Sequence, residues 1–80
     1  MENKLHKEFL IAFGNQVKKI RKEQKISRVQ LAFEIGCDEK QLRLIENGSI
    51  NTGILSIFKI AFILNIPPKE LLNFEIEKFD

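Results

Sequence analysis

Between residues 27 and 48, two helix starts and two helix stops follow one another with little between them. Ser27 stands three residues before Gln30, and Asp38 three before Gln41. This is the capping-box spacing, in which each side chain can satisfy a free backbone N–H at a helix start. Gly36 and Gly48 suit the left-handed backbone that stops a helix and redirects the chain. The segment therefore predicts two short helices, Arg28–Ile35 and Glu39–Asn47, joined by a tight turn, the first of them packing Leu31 and Ala32 inward.

Either side of this unit the pattern stays helical. Leu10, Phe13, Val17 and Ile20 recur at spacings of three and four, which predicts an amphipathic first helix from Leu5 to about Gln24. Asn51–Gly53 offers a further cap, and Ile54–Leu64 should form a fourth helix. Pro67 and Pro68 keep Ile66 and Pro67 out of the helical region, while Pro68 suits the first turn of a last helix, Lys69 to about Phe74. The expectation is an all-α chain of five helices and no strands, with residues 1–80 forming one domain and 73–80 a short tail.

Composition removes several classes of function. One Cys cannot make an internal disulfide, and one His, His6, leaves no cluster of soft ligands, so neither metal nor cofactor is expected. His6, among charged neighbours, reads as a surface residue. The apolar run Ile54–Leu64 is broken by Ser56 and Lys59 and is too short to span a bilayer; with no signal-peptide pattern, a cytoplasmic protein is expected. No paired carboxylates sit beside a His, no nucleophile–base pair is apparent, and the glycines form no phosphate loop, so an enzyme is not expected. No second domain is apparent to sense a small-molecule effector.

Charge is unevenly spread. Residues 1–34 hold eight Lys/Arg against four acids, a balance of +4, whereas residues 35–80 hold five against seven, a balance of −2. The densest stretch, KKIRKEQKISR from Lys18 to Arg28, is either a solvated helix face or an edge that meets phosphates.

Two short helices joined by a turn form a helix-turn-helix unit. At 100° per residue, Leu42 and Ile45 of the third helix point together toward a core, and Lys40, Arg43, Leu44 and Asn47 point away from it. Lys and Arg can donate to guanine O6 and N7 or to phosphate, and Leu can touch a thymine methyl. Glu39 lies on the flank of this face and Glu46 nearer the core edge.

At this point the residues resemble the phage-repressor and Cro type of helix-turn-helix domain, the XRE family, whose pattern runs without gaps through Arg21, ISRVQLAFEIGC, Asp38, LRLIENG and KIAFIL, followed by NIPPKELL. The match covers about residues 13–72, with the helix-turn-helix at about 27–47. The resemblance implies a compact lambda-repressor-like fold. It also implies that Glu39, Lys40, Arg43 and Leu44 contact bases, that Arg28, Gln41, Asn47 and Ser49 hold phosphates, and that Arg21 pairs with Glu46. Ser27 and Asp38 remain helix caps. Lys25 stands where the family usually has Gly, a left-handed position costing about 1 kcal/mol more for Lys, and Thr52 replaces a frequent Pro. Cys37 matches a small apolar position, a packing role set against a redox sensor.

Helix four is apolar nearly all round. Ile54, Ile57, Ala61 and Leu64 make a stripe for the core, leaving Leu55, Phe58 and Phe62 on a second, and the tail adds Phe74, Ile76 and Phe79. Either the last helix and tail fold back over that second stripe, or it is the interface of a two-fold homodimer through Leu55, Phe58, Phe62 and Phe74. A dimer would double the phosphate contacts of a chain whose net charge is only +2. Controller proteins of restriction–modification systems, within the same family, are similar in size and layout. The reading that results is a sequence-specific transcriptional regulator on double-stranded DNA, a homodimer on a palindromic operator with helix 39–47 in the major groove. The alternative is a protein-interaction module on the same fold, antitoxin-like or anti-repressor-like.

Overall fold

Both expected caps of the central unit form: Ser27 Oγ accepts the Gln30 N–H at 3.0 Å and Asp38 Oδ1 accepts the Gln41 N–H at 2.8 Å. The computed structural model describes residues 3–76 and places these caps in a chain of four α-helices and one 3-10 helix. In order they are α1 (Asn3–Glu23), α2 (Arg28–Ile35), α3 (Glu39–Glu46), α4 (Ile54–Leu64) and the 3-10 helix Pro68–Leu72. No strand occurs among the described residues. The box at α2 is only half made, because the Gln30 amide donates to Glu34 Oε2 at 2.7 Å instead of returning to Ser27.

The last element differs in type from the expected α-helix. Its backbone bonds span three residues, Glu70 N–H to Pro67 O at 2.9 Å and Asn73 N–H to Glu70 O at 3.4 Å. Five residues that begin on a proline, with no donor at the first position, hold only this tighter winding. At α4, the expected side-chain cap is also missing: Gly53 is the N-cap and makes no capping bond, and the Thr52 hydroxyl is buried without a partner.

One apolar core joins all five elements: Phe13 and Val17 from α1, Leu31 and Ala32 from α2, Leu42 and Ile45 from α3, Ile60, Ala61 and Leu64 from α4, and Leu71. Ile54 does not belong to it. It is 81% exposed, and Ile60 takes the central place on α4 that the sequence reading missed. A helix apolar on every side has no contrast to set its rotation, so spacing alone could not decide which stripe turned inward.

α1 lies closely across the end of α3. A Cβ on Gly14 would stand 2.7 Å from the Glu46 carbonyl carbon, so the helices meet there backbone to backbone. Two glutamines, Gln16 of α1 and Gln24 just past its end, reach the other way: Gln16 Nε2 donates to Glu70 O and Gln24 Nε2 to Leu64 O, both at 2.7 Å. The turn after α1 passes through Lys25 at φ 60°, the left-handed conformation expected where the family pattern has Gly.

Candidate nucleic-acid interface

α3 is held from its inner side and free on its outer side. Leu42 and Ile45 are buried, while Lys40, Gln41, Arg43 and Asn47 are exposed and Leu44 is half-buried. Ser49, just past the helix, is exposed and its hydroxyl donates to Asn47 Oδ1 at 2.6 Å, so these two polar groups are fixed as a pair. Every residue expected to face bases or phosphates therefore lies on α3, at its end, or beside it on α2.

Arg28 and Glu39 complete the surface in a way that spacing did not reveal. Arg21 makes a two-pronged pair with Glu46, Nε to Oε2 at 2.6 Å and Nη2 to Oε1 at 3.0 Å, and its Nη1 donates to Ile26 O at 2.9 Å. Both residues are almost fully buried, deeper than the core edge at which helix spacing set Glu46. Arg28 Nε then reaches the same Glu46 at 3.2 Å, and Arg28 Nη1 reaches Glu39 Oε2 at 3.1 Å. Glu39 Oε1 in turn accepts from Arg43 Nη2 at 3.3 Å. A single chain of charges thus runs from the core to solvent: Arg21, Glu46, Arg28, Glu39, Arg43.

The physical consequences differ along this chain. At its inner end, two charges out of water are tolerated because the fork of Arg21 matches the carboxylate and its remaining donor finds a carbonyl. In the middle, Arg28 is held above its ordinary pKa, first by its bond to Glu39 and then by that to Glu46, against some desolvation. At the outer end the side chains are 33% exposed for Glu39 and 45% for Arg43, where water and salt weaken the attraction. The Glu39–Arg43 pair was readable, since Glu four residues before Arg on a helix is a favourable spacing. Its partner Arg28 comes from another helix and was not.

The four residues expected at a dimer interface separate into two groups. Leu55, Phe58 and Phe62 lie on α4 and are 71%, 54% and 69% exposed, and the Phe58 and Phe62 rings are 5.9 Å apart. Phe74 is instead half-buried against the core, its ring 5.2 Å from that of Phe9. The tail thus turns toward α1, and among the described residues it does not cover the second stripe of α4. Phe79 lies outside the described residues. Cys37 is half-buried, and burial followed by the nearby Asp38 charge pushes its thiol pKa up, with Lys59 opposing.

Among the described residues no group of three or more His, Cys, Asp or Glu could hold a metal ion, and no helix is long and apolar enough to cross a membrane. The helix-turn-helix family model matches residues 17–71, from the last turns of α1 through α2, α3 and α4 into the 3-10 helix. The chain belongs to the XRE-type helix-turn-helix family. Members of this family are DNA-binding regulators and not enzymes. This XRE-type chain is 39% identical over 69 residues to the control protein C.MunI of Mycoplasma sp, covering 85% of this chain and 92% of that protein. It is 35% identical over 65 residues to the control protein C.BamHI of Bacillus amyloliquefaciens, covering 80% of each. Its fold is similar to the crystal structure of the restriction–modification controller protein C.AhdI from Aeromonas hydrophila, with a TM-score of 0.76 at 34% identity over 78% of this chain and 94% of that one.

Proposed function

We propose that this chain is a sequence-specific transcriptional regulator of a restriction–modification system, binding a palindromic operator in the cytoplasm as a homodimer. In this reading residues 1–80 act as one DNA-binding unit, with α3 in the major groove. Lys40, Arg43, Leu44 and Glu39 meet base edges, and Arg28, Gln41, Asn47 and Ser49 hold the phosphate backbone. The observation that carries the proposal is the outward face of α3, where Lys40, Arg43 and Asn47 are exposed beside Arg28 on a helix whose other side is locked into the core. Similarity to proteins named as controllers supports the choice of regulated system.

The dimer half of the reading rests on α4. Leu55, Phe58 and Phe62, with Ile54 beside them, form an exposed apolar face of the kind that marks a contact site. A second copy placed there would set two α3 helices on successive major grooves, about one DNA turn apart. Phe74, committed to Phe9, is dropped from the interface. The same apolar face favours the second reading, a module that binds a different protein.

Selection of duplexes from a random pool at low salt separates the two. The regulator reading expects an enriched motif with two-fold symmetry, Arg43→Ala losing the sequence preference and Arg28→Ala weakening all duplexes alike with a flatter salt dependence. No enrichment would defeat it. Sedimentation of the wild-type chain and of Phe62→Glu tests the interface: a monomeric wild type at tens of micromolar would remove the dimer.

A further inference from the structure

Arg28 and Arg43, the two arginines on which the DNA-binding reading depends most, share one carboxylate in the free protein. Glu39 gives one oxygen to each, Oε2 to Arg28 and Oε1 to Arg43, at 3.1 and 3.3 Å. These groups are part-exposed, at 28%, 33% and 45% for Arg28, Glu39 and Arg43, so an incoming anion can reach them. Arg28 keeps a second tether on the buried Glu46, which holds its guanidinium in place if Glu39 lets go.

We propose that Glu39 is a specificity-determining residue of this surface, an internal stand-in for DNA whose carboxylate must be displaced from both arginines before they can engage a duplex. The inference rests on the DNA-binding reading above and deepens it. A carboxylate offers a guanidinium the same paired acceptors as a phosphate, or as the O6/N7 edge of guanine. Docking on an arbitrary duplex exchanges the Arg28 contact for a phosphate, yet leaves Glu39 without donors beside a polyanion. A site that presents an amino group at that position, cytosine N4 or adenine N6, restores the lost partner. The acid thus suppresses arbitrary binding more than operator binding, which is discrimination by repulsion of wrong partners.

Charge accounts for the expected size. The five-residue chain carries three arginines and two glutamates, a balance of +1 that becomes +2 in Glu39→Gln. One more phosphate neutralised per protomer steepens the plot of log affinity against log salt by about 0.9.

The test compares the wild-type chain with Glu39→Gln by fluorescence anisotropy, on a duplex enriched by wild-type selection and on a scrambled duplex, over about 50–200 mM salt. Melting temperatures of both proteins establish that each is folded. Glu39→Gln is expected to bind the scrambled duplex about tenfold tighter, with the slope steeper by about 0.9 per protomer, and to lose about tenfold in the ratio of enriched to scrambled affinity. Glu39→Asp, one methylene too short to span both arginines, should fall between the two. An unchanged scrambled affinity, or equal weakening on both duplexes, overturns the proposal while leaving the regulator reading intact. If neither protein binds any duplex, or only Glu39→Gln does, the regulator reading fails and this proposal fails with it.

Discussion

Replacing Gly14 by Ala adds a single methyl where α1 meets α3 backbone to backbone, and the structure sets what it costs. The new Cβ would lie 2.7 Å from the carbonyl carbon of Glu46 and closer still to the carbonyl oxygens of Ile45 and Glu46, whereas ordinary contact begins at 3.4 Å. The two backbones must part by more than the 0.7 Å that separates 2.7 from 3.4 Å, because no rotamer change can relieve a clash with a helix end. Overpacking of this sort costs about 1–3 kcal/mol, and the upper half of that range applies when both partners are backbone. Against it stands the better helix propensity of Ala, about 1 kcal/mol over Gly. The clash wins, leaving a net loss of about 1–2 kcal/mol, or a fall in Tm of about 4–16 °C for a chain of this size. Displacing α1 also disturbs the Arg21–Glu46 pair that links the same two helices. Thermal melts followed by circular dichroism, with urea titration alongside, measure the loss. An unchanged or raised Tm would show that propensity outweighs the clash and would refute the close-approach reasoning.

Arg21→Met should destabilise the protein by about 3 kcal/mol, because Glu46 is left buried with only Arg28 to hold it, and Arg21→Met with Glu46→Leu should recover most of that loss in urea unfolding. Lys25→Gly should stabilise by about 0.5–1 kcal/mol, since relief of the left-handed backbone exceeds the added freedom of the unfolded chain; the urea midpoint rises and the m-value does not change. Cys37 should react with iodoacetamide more slowly than in the urea-unfolded chain at the same pH. Its thiol pKa is raised on folding from an ordinary value of 9.0, so the native state holds the proton longer. The stability that accompanies this shift is fully present below about pH 9 and declines as pH rises through the folded value, which melts in a pH series would show.

How legible all this was depended on the range of the interaction concerned. Ser27, Asp38, Gly36 and Gly48 act within a few residues of themselves, so the turn and both short helices could be read directly. Arg21 and Glu46 were reached by family resemblance, and their depth of burial exceeded what was expected. The phase of α4 was not legible, because Ile54 and Ile60 look alike in a helix apolar on all sides, and only packing against α2 and Leu71 distinguishes them. The two prolines marked the last element but not its winding. Gln16 and Gln24 find partners 54 and 40 residues on and Arg28–Glu39 joins two neighbouring helices, and all three contacts follow from helix placement alone.

α3 is eight residues long. Isolated helices shorter than about 12–15 residues are marginal in water, so this segment has no helical surface to offer on its own. Folding and recognition are therefore one equilibrium, and whatever grips α3 draws the whole chain toward the folded state. A duplex at 100 times its Kd would add about 2.7 kcal/mol to the stability of the bound form. In a cell, copies seated on DNA would resist proteolysis, and unbound ones would be cleared first, so occupancy would help set the lifetime of the protein.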